Sequence, residues 1–140
     1  MSSNAKIFIA SLFWFGVVGL SALLVHFLVV TQLLVPIGWH PLLANTGGFF
    51  IAFIVSFFGH HQLTFKEQTR QANAHMGKAA GKFFLVAVGS FLLNQVMFSA
   101  LLQFSSWSLD ICLAITLVAV AVVTFITSKL WAFKHTGTKS

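Results

Sequence analysis

A few side chains in this 140-residue chain have types and spacings that could do chemistry. His60 and His61 stand together, followed by the bases Lys66 and Arg70. Lys129 lies in an aromatic stretch with Phe125, Trp131 and Phe133. Lys6 and Lys82 each precede a long apolar run. Inside those runs sit His26, Asn45 and the pair Asn94-Gln95. A base one turn inside a membrane interface, with Phe and Trp around it, can bind a lipid phosphate. Its simpler role is to snorkel and set topology. A polar group in hydrocarbon must find a partner. For His26 that partner is either a side chain of a neighbouring helix or a group passing along a pathway. Asn45, Asn94 and Gln95 divide between helix packing and cavity lining.

Other chemistries lack parts. Two axial histidines at one depth are needed for haem, and His26 has no counterpart at its depth. His60 and His61 are adjacent, so on a helix they point about 100° apart, and no zinc-ligand spacing is present. There is no Gly-rich phosphate loop. The two carboxylates, Glu67 and Asp110, fall outside the hydrocarbon core, so acid–base catalysis has no pair to work with. Cys112 is alone and inside a run, which predicts an inert thiol. Neither an enzyme nor a cofactor is expected.

The elements that hold these residues follow from composition. Hydrophobic residues make up 58% and charged residues 7%, far below the roughly 25% charged of a soluble domain. Ten charges cannot cover the surface of such a chain, so lipid is the solvent. Disorder, a disulfide scaffold and a soluble nucleic-acid binder are excluded. From Lys6 to Lys66 there is no charge, and from Lys82 to Lys129 only Asp110. A span needs about 20 apolar residues, so each run holds two spans and a turn. The turns are Pro36-Ile37-Gly38-Trp39-His40-Pro41 and Ser105-Ser106-Trp107-Ser108-Leu109-Asp110. Helix breakers, N-cap residues and an interfacial Trp mark both.

The fold class expected is an all-α membrane protein, one membrane domain over 1–140. Helices are predicted at about 8–33, 42–64, 80–104 and 109–131, with a polar loop over 67–79. The first helix is too long for a signal-peptide core and is kept as a span. All eight bases fall on one side: Lys6; Lys66, Arg70, Lys78 and Lys82; Lys129, Lys134 and Lys139. The positive-inside rule then puts both termini and the central loop in the cytoplasm.

The chain also reads as two copies of a helix pair. Offset by 70, Phe13 to Gly19 lies over Phe83 to Gly89. Offset by 68, Ser56 to Lys66 lies over Thr124 to Lys134, and His61 falls on Lys129. Two spans per copy give a parallel repeat about an axis along the membrane normal. In the second helix Ala44, Gly48, Ala52 and Ser56 recur every fourth position. Small residues let helix backbones approach in lipid, so this row is a packing face, within one chain or between two. Gly16 and Gly19 form a smaller patch on the first helix.

These residues resemble the GtrA-like family of small four-span bacterial membrane proteins. The resemblance is carried by F-x-x-V-G at Phe15 to Gly19, by Leu43-Ala44-Asn45, and by the ends of the second and fourth helices. The family ending F-x-x-N-R-x-W-x-F reads here Phe57 to Phe65, with His61 at the basic place. It reads again Phe125 to Phe133, with Lys129 there and Trp131 and Phe133 matching. Residues 10 to 134 are covered. The resemblance implies transfer of a polyprenyl-phosphate-linked sugar, such as undecaprenyl-phosphate-glucose, across the bacterial cytoplasmic membrane. That transfer serves O-antigen, teichoic acid or other cell-wall polymers, with a membrane glycosyltransferase as partner. The expected assignment puts His61 and Lys129, then Lys82 and Lys6, on the lipid phosphate. Asn45, Asn94, Gln95 and His26 would line the sugar path, and Gly48, Ala52 and Ser56 would pack helices. A homodimer is expected, since four spans make a small bundle for a large head group. The rival readings are an accessory subunit that scaffolds a glycosyltransferase and a small channel or cation exporter.

Overall fold

A computed structural model describes the backbone of residues 3–63 and 76–134, with side chains over most of 3–59 and 84–127. Four helices carry the chain: α1 (Ser3–Leu28), α2 (Pro41–Leu63), α3 (Met76–Phe104) and α4 (Leu109–Lys134). A π-helical segment, Val29–Leu34, continues α1 without a break. No strand occurs among the described residues. With no water to satisfy backbone N–H and C=O groups, only such internally bonded helices or a closed barrel can cross lipid. Four stretches are long and apolar enough to do so: Ala5–Leu34, Pro41–Gly59, Phe84–Phe104 and Leu109–Thr127. Their apolar side chains are mostly exposed, Leu20 at 69% and Val118 at 60%, as helices facing lipid require.

The helix ends follow local chemistry. After the π segment Pro36 has no N–H to continue the ladder, and Gly38, at φ 97°, adopts a conformation other residues resist. Pro41 then opens α2 at the position where a missing N–H costs nothing. The Ala44 N–H bonds His40 O at 2.9 Å to begin the new ladder. At the second turn Ser105 Oγ donates to Leu101 O at 2.6 Å and accepts from the Trp107 N–H at 3.4 Å. Cys112 N–H bonds Ser108 O at 3.0 Å, and Asp110 sits in the first turn of α4, where its charge favours the helix dipole.

α3 starts at Met76, earlier than the predicted 80, so residues 76–79 are helical rather than loop. The rest of the expected loop, 67–75, lies outside the described residues, as does the polar end 135–140. Contacts divide the chain into two compact units, Met1–Ala80 and Gly81–Ser140, centred on the α1–α2 and α3–α4 hairpins.

In the first unit the seam is set by the glycines of α2. A Cβ built on Gly48 would lie 2.5 Å from Val30 Cγ2 and 2.8 Å from His26 Cδ2. One on Gly59 would lie 2.9 Å from Val18 Cγ1. Ala44 and Ala52 are buried on the same row, and Ser56 is half-buried. The row Ala44-Gly48-Ala52 therefore packs inside the chain, against α1. Of the two alternatives, within one chain or between two, α1 takes the first: it occupies this face. Gly16 and Gly19, expected to form a packing patch, meet nothing within 4 Å. Val18, between them, makes the contact instead.

In the second unit the buried set is Phe98 on α3 and Cys112, Leu113, Leu117 and Val120 on α4, with the polar Asn94 and Thr116. Ser90 and Thr124 hydroxyls meet at 2.9 Å across the hairpin. Each lies about 20 Å from the turn at 1.5 Å per residue, so α3 and α4 run antiparallel and meet at that distance from it.

Candidate functional site

The polar residues at depth are placed differently in the two units. His26 ends the regular part of α1, and Asn45 lies in the second turn of α2. The His26 Nε2–H donates to Asn45 Oδ1 at 2.8 Å, with both residues buried. Gly48, one turn beyond Asn45, has no side chain to hold the ring away. In the described geometry His26 and Asn45 therefore face each other across the seam. They form the interhelical bond that sequence left as one of two alternatives, and neither is an open group along a path. Both were expected along the sugar path, and in the structure they are bonded to one another.

In the second unit Asn94 is buried and Gln95 half-buried on α3, and both are engaged by partners. Thr116 Oγ1 donates to Cys112 O at 2.7 Å within α4. With Ser90 and Thr124, these groups give the α3–α4 hairpin polar residues of its own. The Cys112 thiol is buried there, its Sγ 3.5 Å from Ser105 Oγ.

The proposed phosphate ligands fall mostly beyond the described side chains. Lys6 is exposed on the first turns of α1. His61, Lys82 and Lys129 have backbones on α2, α3 and α4, and their side chains lie outside the described residues. Among the described residues no three His, Cys, Asp or Glu gather as metal ligands would.

Sequence reasoning missed the π segment. Its bonds are wide: Val35 N–H reaches Val30 O and Trp39 N–H reaches Leu34 O, both at 3.0 Å. Thr31 Oγ1 donates to Phe27 O at 2.9 Å, and the exposed Gln32 donates through Nε2 to Thr31 Oγ1 at 3.2 Å. Such segments occur often at functional sites. The available signal was the pair Thr31-Gln32 in an otherwise apolar run, five and four residues before Pro36.

Fold and polar seams together define a multi-pass membrane protein of four apolar helices. Over residues 14–133 the sequence matches the family described as GtrA/DPMS, transmembrane domain, and the chain belongs to that family. No curated protein and no solved structure matches it.

Proposed function

We propose that this protein is a flippase. It moves a polyprenyl-phosphate-linked monosaccharide, of the undecaprenyl-phosphate-glucose type, from the cytoplasmic to the outer leaflet of a bacterial inner membrane. The sugar then serves glycosylation of a cell-surface polysaccharide by a membrane glycosyltransferase. Family membership over 14–133 is the observation that carries this reading. The bases support it: all lie at one end of the spans, where an anionic lipid phosphate would load. Both termini then face the cytoplasm. His61 and Lys129 take the phosphate, with Lys82 and Lys6 in lesser roles. The protein supplies a route and no catalytic chemistry of its own.

The two hairpins act as a repeat. Ala44, Gly48 and Ala52 are buried, and so are Cys112, Thr116 and Val120, each 68 residues on; Ser56 and Thr124 are both half-buried. One observation favours the accessory-subunit reading. His26 and Asn45, polar and at depth, are already paired inside the first seam.

Purified protein in vesicles containing a labelled polyprenyl-phosphate glucose separates the two. Outward exchange above empty vesicles is expected, and Lys129→Gln should lower it about tenfold, the loss of one charge–phosphate contact worth about 1.4 kcal/mol. Exchange no faster than in empty vesicles would leave the scaffold reading. Full exchange by the Lys129→Gln protein would remove Lys129 from the site.

A further inference from the structure

Four-residue spacing puts a polar stripe on α3: Gln95, Ser99 and Gln103, each about 6 Å further along the helix than the last. Gln95, near the middle of the span, and Ser99 are half-buried. Gln103 is exposed, at the end where the α3–α4 turn begins. Toward the other end of α3 the same row is apolar, with Phe91 and Ala87. The stripe is not the surface that closes the hairpin. Ser90, which meets Thr124, begins the adjacent row Ser90-Asn94-Phe98, whose last two members are buried. The repeat supplies a control. Offset by 70, the stripe falls on Val25, Val29 and Leu33 of the first span, which are half-buried, half-buried and exposed in the same order. Apolar side chains serve at those positions in the first unit, so helix packing does not call for polar ones in the second. Gln95 is engaged by a partner, while the Ser99 and Gln103 side chains have no hydrogen bond among the described residues.

Polar side chains at membrane depth are costly and mark the way of a polar cargo or a bond to another helix. We propose that Gln95, Ser99 and Gln103 form the outer half of the sugar's route, bonding its hydroxyls in turn and releasing it at the α3–α4 turn. This rests on the flippase reading and its orientation, and it gives Ser99 and Gln103 a role in that path. Each amide offers two N–H donors and an acceptor oxygen, and the serine hydroxyl both donates and accepts. Such groups match sugar hydroxyls in either sense. A cation calls for several oxygens around one point, whereas these three groups are spread along about 12 Å of helix axis. An anion calls for a base, and the stripe holds none. A partner helix calls for small residues that let backbones approach, as Gly48 does on α2, and two long glutamines hold it off.

The test uses the full chain in vesicles, with a water-soluble thiol reagent on both sides and Cys112→Ala removing the native thiol. Gln95→Cys and Ser99→Cys should label. Val96→Cys, beside Gln95 but 68% exposed on the lipid side, should not. Polyprenyl-phosphate glucose should slow labelling of Ser99→Cys severalfold, and sugarless polyprenyl phosphate should leave it unchanged. In the otherwise native chain, Ser99→Val with Gln103→Leu installs the side chains of the first unit and should slow exchange of the glycolipid about tenfold. Ser99→Thr, which keeps the hydroxyl, should exchange at nearly the native rate, so a loss in the double variant is not a folding failure. Equal labelling at positions 95, 96 and 99, equal protection by the sugarless lipid, or protection by sodium ions alone would overturn the route. So would a double variant whose crosslinked dimer is lost, which would make the stripe a helix contact. If the native chain exchanges the glycolipid and the double variant does so at full rate, only this inference fails. If the native chain exchanges nothing, the flippase reading fails and the route with it.

Discussion

His26, Asn45 and Gly48 illustrate how a polar bond and a missing side chain depend on each other. The His26–Asn45 bond spans 2.8 Å because α1 and α2 come close, and they come close because position 48 has no Cβ. Gly48→Ala would place a methyl group 2.5 Å from Val30 Cγ2, so the seam must open. Overpacking of this kind costs about 1–3 kcal/mol, more than the helix propensity gained by alanine. Gly16→Ala meets open space and should change stability by at most about 1 kcal/mol. Thermal unfolding in detergent would rank the two, and equal effects would show that Gly48 does not set the seam. The need for a partner to His26 was legible in sequence, because a polar ring in lipid must be satisfied. The identity of the partner was not. Asn45 is distant in sequence, and only the turn and the seam bring the two to one depth. Gly16 and Gly19 show the opposite failure. Small residues permit close approach, but the neighbouring helix decides which of them are used.

At the scale of elements, the helices follow from charge-free runs and from Pro, Gly and Ser at the turns, and the structure has four where four were expected. The π segment was only hinted at by Thr31-Gln32 ahead of Pro36, since no residue type demands it. Its role is geometric. In an α-helix four residues overshoot one turn by about 40°, so a row of every fourth residue drifts around the axis. His26 and Val30 both press on Gly48, and Leu34 lies against Gly47. A wider turn from Val30 to Leu34 falls short of a full turn and cancels the drift, keeping α1 on α2 to its end. The second hairpin has no such segment and instead closes through hydroxyls. The Ser90–Thr124 bond should show a coupling of about 0.6 kcal/mol in a double-mutant cycle of Ser90→Ala and Thr124→Val, the usual size for such a bond in a membrane. Zero coupling, read from unfolding in mixed micelles, would mean that apolar packing around Phe98 and Leu113 alone holds the pair.

For the whole molecule, the decisive property is the distribution of its ten charges rather than their sum of +6. The α1–α2 turn carries no formal charge, and the α3–α4 turn carries only Asp110, which counts little because the rule weighs Lys and Arg. Trp39 and Trp107 stand in these two turns at 47% and 53% exposure, where an amphipathic ring meets the head groups. The bases lie at the opposite ends of all four spans. Transferring a base-rich segment opposes insertion, so both turns should be translocated and both termini retained. Ser106→Cys, exposed in the second turn, should label from outside intact cells with a membrane-impermeant reagent, in a Cys112→Ala background. Lys6→Cys should label only after the cells are opened. Replacing Lys66, Arg70, Lys78 and Lys82 together by Gln removes half of the eight bases and should produce a mixed population, with part of the Ser106→Cys protein shielded from outside. If the four-base variant keeps a single orientation, the central bases do not set topology, and their place at one end of the spans then has to be explained by what they bind.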